Sequence, residues 1–342
     1  MTMTKNSYNY NLPPELIAQT PTTKRDHSRL MIIDKNKKTI DAKHHFFDLP
    51  KFLGKNDVLV FNNSKVFPAR LKGKKESGGK AEVFLLNKIK NNIWECLVGA
   101  NKQKENLEII LPAKLCATLV KQISKSNWQV QFNKDPLKVA NKHGQVPTPP
   151  YIKKISNQDK LRQQYQTVYA AKTGSAAAPT AGLHFTKPLI AQLKKQGVKI
   201  EYVTLHVGLG TFLPLTETNL KTKKLHSEQV EISSTTAKKL NKYKKQGKKI
   251  IAIGTTTTRT LEAMVDSKGT LMAGKKSVDI FIYPPYKFKF VDNLITNFHL
   301  PESSLLMLVS ALASKQLIDK AYRTAVKQRY RFFSFGDVML IK

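Results

Sequence analysis

KIIAIGTTTTRTLEAMVD, residues 249–266, joins a short apolar run to a segment with helical spacing. The run from Lys249 to Gly254 predicts a buried strand, because it is apolar and a glycine closes it. The segment from Arg259 to Asp266 predicts a helix. A strand that leads into a helix is the building unit of an α/β domain.

Strand and helix signals alternate in the same way on both sides of this segment. Short apolar runs closed by polar residues predict strands at Ser28–Asp34, Asp57–Asn62, Val198–Leu205 and Val338–Ile341. Further runs predict helices at Pro188–Gln196, Thr235–Lys245, Ser303–Ala313 and Ile318–Tyr330. The sequence therefore predicts an α/β main domain.

Between residues 66 and 152 the pattern changes to short β-rich runs. Lys80–Leu86, Ile93–Val98 and Trp128–Phe132 alternate apolar and polar residues, which is typical of antiparallel strands with one exposed face. The Pro-rich segment His143–Tyr151 marks the end of this region. We expect a small β domain, residues 66–152, inserted into a main domain made of residues 1–65 and 153–342.

The composition is that of a folded chain with a large positive charge. Of 342 residues, 41% are hydrophobic, which excludes collagen-like, disordered and small disulfide-stapled classes. Lys and Arg number 58 against 24 acidic residues, for a formal net charge of +34. Such an excess favours a polyanionic partner such as nucleic acid. A surface merely coated with lysine is the alternative, because only eight of these residues are arginine.

Cysteine content and hydropathy indicate the compartment. Cys96 and Cys116 are the two cysteines, too few for a disulfide framework or a zinc cluster. No signal-peptide pattern opens the chain, and no apolar stretch approaches about 18 residues. We expect a cytoplasmic protein without membrane association.

A run of small residues, GSAAAPTAGLHFT at 174–186, contains a histidine near its end. Small side chains let a backbone approach a ligand closely and expose its N–H groups. Pro179, Thr180, Ala181 and Gly182 are therefore candidate ligand-binding residues, and His184 is a candidate acid or base. Close packing of two backbones is the alternative reading.

Two further segments carry histidines in or after predicted strands. His206 precedes a Gly-x-Gly turn formed by Gly208 and Gly210. His226 and Glu228 would share one face of an extended segment, which suits an acid/base couple because a carboxylate raises imidazole basicity. An exposed strand-edge pair is equally compatible. No third ligand stands at a metal-site spacing, so we expect no metal.

Polar residues also stand at the starts of two predicted helices. Thr255, Thr256 and Arg259 follow the strand at 249–254, and helix N-termini with an arginine fork bind anions. Ordinary threonine capping is the alternative. Asn297 and His299 precede another helix and form a second polar group.

The C-terminal region interleaves basic and aromatic residues. Between Tyr322 and Phe333 stand Arg323, Lys327, Arg329 and Arg331 among aromatic side chains. Such a mixture suits unstacked RNA bases beside phosphates, whereas core packing of the aromatics is the alternative.

Together, these motifs resemble the S-adenosylmethionine:tRNA ribosyltransferase-isomerase family of queuosine biosynthesis along nearly the whole chain. The resemblance rests on the segments Leu16–Pro21, Ser28–Leu30, Asn62–Val66, Pro68–Leu71, Tyr165–Ala170, Pro179–Thr186, Val207–Phe212, His226–Glu228, Thr296–Pro301 and Tyr330–Ser334. Departures are small: Tyr283-Pro284-Pro285-Tyr286 stands where the family usually has Pro-Gly-Tyr, and Thr257-Thr258 replaces the more usual mix before Arg259.

The resemblance implies a fold, a reaction and partners. The fold is a barrel-like main α/β domain carrying an inserted, smaller β-barrel-like domain. The reaction transfers and isomerises the ribosyl part of S-adenosylmethionine, a co-substrate, onto 7-aminomethyl-7-deazaguanine at the wobble position of tRNA. Epoxyqueuosine forms, and adenine and methionine are released. We expect the enzyme to contact the anticodon region and to act as a monomer.

This chemistry needs a base and an acid near neutral pH. The candidates for proton transfer are His184, His206, His226, Glu228 and His299. The candidates for S-adenosylmethionine binding are Pro179, Thr180, Ala181, Gly182, Gly208, Gly210, Thr255, Thr256, Arg259 and Asn297, with Arg259 placed to bind the carboxylate.

Two other functions compete with this one. A tRNA methyltransferase would use the same sulfonium donor, but the common type carries a Rossmann glycine fingerprint that this chain lacks. A noncatalytic RNA-binding protein would need only the charge. The His, Thr and Gly motifs lie away from the Lys-rich stretches, and phosphate binding alone does not require them.

Overall fold

The computed structural model describes residues 5–147, 151–152, 157–208 and 215–342. Its strands are Arg29–Asp34 (β1), Thr39–His45 (β2), Asp57–Asn62 (β3), Ser64–Val66 (β4), Arg70–Lys75 (β5), Lys80–Lys90 (β6), Ile93–Ala100 (β7), Glu108–Leu111 (β8), Leu115–Ser124 (β9), Asn127–Phe132 (β10), Lys172–Ser175 (β11), Lys199–His206 (β12), Lys224–Ile232 (β13), Lys249–Ile253 (β14), Gly274–Ile280 (β15), Asn293–Asn297 (β16) and Val338–Ile341 (β17). Its helices are Pro136–His143 (α1), Gln158–Gln164 (α2), Lys187–Lys195 (α3), Glu217–Thr222 (α4), Ser234–Lys245 (α5), Thr255–Ala263 (α6), Ser304–Ala313 (α7) and Lys315–Lys327 (α8).

Nine strands of the described residues form one sheet, in the order β15-β13-β12-β3-β14-β16-β17-β1-β2. Strands β12, β3, β14 and β16 are parallel, so their carboxyl ends lie at the same edge of the sheet. Strand β17 runs antiparallel to β16 and parallel to β1, so β1 begins at that edge too. In α/β sheets, ligands bind in crevices outside the carboxyl ends of the strands.

The central strands are buried on both faces. In β3, Val58 and Val60 pack with residues of α5 to α8, whereas Leu59 and Phe61 pack on the opposite face with α3. A strand covered on both faces reads as a continuous apolar run. This pattern is why the sequence locates β3 and β14 correctly.

Strands β5 to β10 close into a barrel in the order β10-β7-β6-β5-β8-β9. Its interior is a separate hydrophobic cluster that includes Trp94, Trp128 and Phe132. The predicted α/β fold with an inserted β-barrel is confirmed. Parts of the Pro-rich segment and of the expected boundary at 152–153, namely 148–150 and 153–156, lie outside the described residues.

Helices α6 and α8 have other bounds than predicted, and α8 spans Lys315–Lys327 instead of Ile318–Tyr330. Helix α6 begins at Thr255, four residues before the expected Arg259, so the threonine run lies inside the helix. The hydroxyls of Thr257 and Thr258 donate to the carbonyls of Ile253 and Gly254 at 2.8 and 3.2 Å. Back-bonding to a carbonyl four residues earlier lets threonine sit inside a helix.

In the described ranges, none of the helices has both the length and the apolar character needed to cross a membrane.

Candidate active site

A cavity opens where three segments converge at the carboxyl ends of the parallel strands. Its wall comes from residues 177–181, 254–256 and 296–299, and the other lining residues are Tyr151, Val207, Leu305, Phe333 and Ser334. The structure thus brings together these predicted site residues: Pro179, Thr180, Ala181, Thr255, Thr256, Asn297 and His299.

The start of α6 forms one wall of this cavity. Gly254 precedes the helix with φ of 86°, a conformation that favours glycine. A Cβ on Gly254 would lie 3.5 Å from the Cβ of Ala181, so the helix start packs closely on the small-residue run. The first amides of a helix lack helical acceptors. This wall can therefore bind an anionic or electronegative group.

His184 lies behind the cavity wall and holds Asn297. Its Nδ1 is 2.7 Å from Oγ of Ser28, and its Nε2 is 3.0 Å from Nδ2 of Asn297. The Asn297 Nδ2 also donates to the Asp337 carbonyl at 3.5 Å, while its Oδ1 accepts from the Thr180 hydroxyl at 3.2 Å. Because an amide nitrogen only donates, Nε2 of His184 is the acceptor and its proton lies on Nδ1.

Burial also keeps His184 neutral. It lowers the pKa of His184 to about 3, and the positive charges of Arg331 and Arg25 act in the same direction. Both ring nitrogens are engaged, and the residue is only 5% exposed. The geometry therefore makes His184 an orienting residue for Asn297.

His299 lines the cavity, and hydrogen bonds fix its backbone on both sides. Its carbonyl accepts from the Tyr10 hydroxyl at 2.5 Å, and its amide donates to the Tyr322 hydroxyl at 2.9 Å. Nε2 lies 3.3 Å from Oγ1 of Thr296. Burial lowers the pKa of His299 to about 3. The imidazole is thus neutral at pH 7 and can accept a hydrogen bond or a proton.

His206 lies beside the cavity and is not part of its lining, although Val207 is. Its Nδ1 is 2.8 Å from Oγ of Ser64. A Cβ on Gly174 would lie 2.7 Å from the imidazole, so the glycine permits this close packing. Burial lowers the pKa of His206, and the charge of Glu231 opposes that shift.

The predicted pair on β13 occupies two different environments. His226 is exposed, whereas Glu228 is buried and forms an ion pair with Nη1 of Arg259. Nε and Nη2 of Arg259 are buried and have no hydrogen-bond partner within the described part of the chain. Arg259 is therefore charge-paired on one side and keeps two nitrogens without a partner there, but it is not among the residues that line the cavity.

Three predicted glycines have different surroundings. A Cβ on Gly182 would lie 1.8 Å from the Tyr169 hydroxyl, so this glycine serves close packing. A Cβ on Gly208 would have no atom of the described residues within 4 Å. Gly210 lies outside the described residues.

Sequence reasoning assigned no role to several residues at this site. The Ser28 hydroxyl accepts from Nδ1 of His184 at 2.7 Å, and the hydroxyls of Tyr151 and Ser334 are 2.5 Å apart at the cavity. Phe333 contacts Tyr151 edge to face with ring centroids 4.0 Å apart. Ser28 and Tyr330–Ser334 stood in motifs that carried the family resemblance, which was the available signal.

No group of three or more His, Cys, Asp or Glu side chains that could hold a metal ion occurs among residues 5–147, 151–152, 157–208 and 215–342.

Comparisons with known proteins cover nearly the whole chain. A family model described as queuosine biosynthesis protein matches residues 5–341. A protein of Acetivibrio thermocellus named S-adenosylmethionine:tRNA ribosyltransferase-isomerase is 49% identical over 99% of this chain and 100% of its own length. A protein of the same name from Thermoanaerobacter sp. is 47% identical over the same shares. A crystal structure of S-adenosylmethionine tRNA ribosyltransferase from Thermotoga maritima is 37% identical, with a TM-score of 0.57 over 98% of this chain and 100% of that one.

Proposed function

The chain belongs to the queuosine biosynthesis protein family, and on that premise we propose that it is an S-adenosylmethionine:tRNA ribosyltransferase-isomerase. It transfers and isomerises the ribosyl part of S-adenosylmethionine onto 7-aminomethyl-7-deazaguanine at the tRNA wobble position. Epoxyqueuosine forms, and adenine and methionine are released. In this proposal the enzyme is a cytoplasmic monomer that contacts the tRNA anticodon region and needs no metal.

The observation that carries this proposal is the cavity at the carboxyl edge of the sheet. Three segments far apart in sequence supply its wall, and two of them, 177–181 and 296–299, overlap motifs that carry the family resemblance. Backbone amides at the start of α6, the Asn297 amide and the Thr180 hydroxyl supply hydrogen bonds for a nucleoside. Apolar atoms of Ala177, Ala178 and Phe298 line the same space, which suits a purine ring.

The reaction requires that a proton beside the sulfonium be removed, that departing adenine be protonated, and that methionine leave as the oxirane closes. His299 is the imidazole in the cavity lining. Because its lowered pKa keeps it neutral at pH 7, it is not an imidazolium donor. We assign it the proton-acceptor role on its position in the cavity, since burial weakens its basicity. The aminomethyl group of the tRNA base is the nucleophile, so no covalent enzyme intermediate is needed.

Arg259 is the proposed ligand for the methionine carboxylate. It lies on α6 one turn beyond Thr255, which lines the cavity. Two buried guanidinium nitrogens without a partner in the described residues support this role, because Arg binds a carboxylate with two parallel N–H groups.

Mass spectrometry of a reaction tests the proposal. The protein is incubated with S-adenosylmethionine and tRNA carrying 7-aminomethyl-7-deazaguanine. We expect adenine, methionine and epoxyqueuosine-containing tRNA to appear together. S-adenosylhomocysteine with methylated tRNA would establish a methyltransferase, and tight tRNA binding without any product would establish a binding protein.

A further inference from the structure

A second, wider cleft lies between the inserted barrel region and the main domain. Pro68 and Asn141 line one side, and Lys65, Gln166 and Lys187 line the other. None of these residues lines the candidate active-site cavity.

The cleft is strongly basic. Its cations are Arg25, Lys65, Arg162 and Lys187, and its described lining contains no Asp or Glu. Lys65 and Lys187 are exposed. Asp26, next to Arg25 in the sequence, accepts a hydrogen bond from Thr186 at 3.0 Å. The cleft therefore presents a net positive charge to whatever enters it.

The two arginines hold the walls while keeping their charge. Arg162 donates to the carbonyls of Asn141 and Gly144 at 3.1 and 2.5 Å, which ties α2 to α1. Arg25 donates to the carbonyls of Gln166 and Gln163 at 2.6 and 2.8 Å. Carbonyl acceptors are neutral, so these bonds do not cancel the positive charge. The exposed lysine ammonium groups remain available for phosphates.

The cleft also neighbours the candidate active site, because a smaller pocket shares a lining residue with each of them. Arg25 lines a smaller pocket that is shared with His184 and Ser334. Ser334 in turn lines the active-site cavity. A chain molecule can therefore occupy the cleft while one of its units enters the cavity.

We propose that this cleft binds the sugar–phosphate backbone of the RNA strand whose base enters the active-site cavity. The proposal rests on the proposed function for the identity of the RNA. Lys65 and Lys187 contact phosphates, and the amides of Asn141 and Gln163 face ribose and phosphate oxygens. A strand that is bound through its backbone needs cations along a groove, because each phosphate is negatively charged. Such contacts position a nucleic acid without reading its sequence.

The test compares two double variants with the same loss of charge. A plot of the logarithm of tRNA affinity against the logarithm of salt concentration has a negative slope. In Lys65→Gln/Lys187→Gln we expect the magnitude of this slope to decrease by about 1.4, at about 0.7 per phosphate on single-stranded RNA. Lys238→Gln/Lys245→Gln removes two exposed lysines from α5 and should leave the slope unchanged. S-adenosylmethionine binding, measured by equilibrium dialysis without tRNA, should be the same in both.

Equal slopes for the two variants would overturn the cleft proposal. If the wild-type protein modifies tRNA and the two variants have the same salt dependence of tRNA affinity, the cleft proposal is wrong and the proposed function is supported. If the wild-type protein forms no ribosyl-transfer product but the cleft variant alone loses tRNA affinity, the proposed function is wrong and RNA binding in the cleft is supported. Thermal unfolding of both variants verifies that the comparison is between folded proteins.

Discussion

The cavity wall and strand β13 both carry polar residues that sequence motifs single out, but they hold those residues by different means. At the cavity, His184 and Asn297 form a chain of neutral hydrogen bonds, and burial keeps His184 and His299 uncharged. On β13, Glu228 is buried as an ion with Arg259. Neutral groups can be buried at small cost when they are hydrogen-bonded, whereas a buried charge depends on its partner. Single substitutions should therefore lower mainly turnover at the cavity and mainly stability on β13.

The largest expected effect is on turnover at the cavity. His299→Asn removes the imidazole proposed to accept the sulfonium-side proton, so we expect kcat to fall about 10²- to 10⁴-fold. The measurement is the single-turnover rate of adenine release. The matched control is His226→Asn at an exposed position on β13, for which we expect a change of less than about twofold. Equal losses in the two variants would remove His299 from the proton-transfer step.

On β13 the largest effect should be on stability. Glu228→Gln leaves the Arg259 charge buried without its counterion, so we expect the free energy of unfolding to fall by about 3–5 kcal/mol. Urea denaturation measures it. Changing both partners, as in Glu228→Met/Arg259→Met, should recover part of the loss because no unpaired charge remains. If the double variant is as unstable as the single one, the ion pair is not the source of the loss.

The two regions should also respond differently to pH. His184 and His299 are neutral when folded, with pKa values of about 3, but titrate near 6.5 when unfolded. The unfolded chain thus binds more protons between these values, so stability falls as pH drops from about 6.5 toward 3, by about 1.4 kcal/mol per pH unit per histidine.

Variants separate this contribution from general acid denaturation. His184→Gln should reduce the slope of unfolding free energy against pH by about 1.4 kcal/mol per unit between pH 6 and 4. Gln229→Ala, at an exposed position on β13 that does not titrate, should leave the slope unchanged. An unchanged slope for His184→Gln would mean that this imidazole already becomes protonated in the folded protein.

Sequence patterns could predict an α/β domain and locate β3 and β14, because continuous apolar runs mark strands that are buried on both faces. The convergence of three segments at one edge of the sheet came from the structure. Sequence patterns could not predict the hydrogen-bond partners and the protonation state of each histidine. The partners that fix His184, namely Ser28 and Asn297, are 156 and 113 residues away in sequence. The environment of Glu228 likewise depends on Arg259, 31 residues away, which the spacing between His226 and Glu228 cannot reveal.

The smallest effects should come from glycines of the same sequence motifs, which the sequence alone could not distinguish. Gly182→Ala would place a Cβ 1.8 Å from the Tyr169 hydroxyl, and Tyr169 itself packs on Phe61 and Tyr202. Overpacking of this kind costs about 1–3 kcal/mol of unfolding free energy. Gly208→Ala meets no atom of residues 5–147, 151–152, 157–208 and 215–342 within 4 Å and should change stability by less than about 0.5 kcal/mol. Urea denaturation of both variants measures the difference, and equal stabilities would show that Tyr169 moves aside freely and that Gly182 is not required for packing.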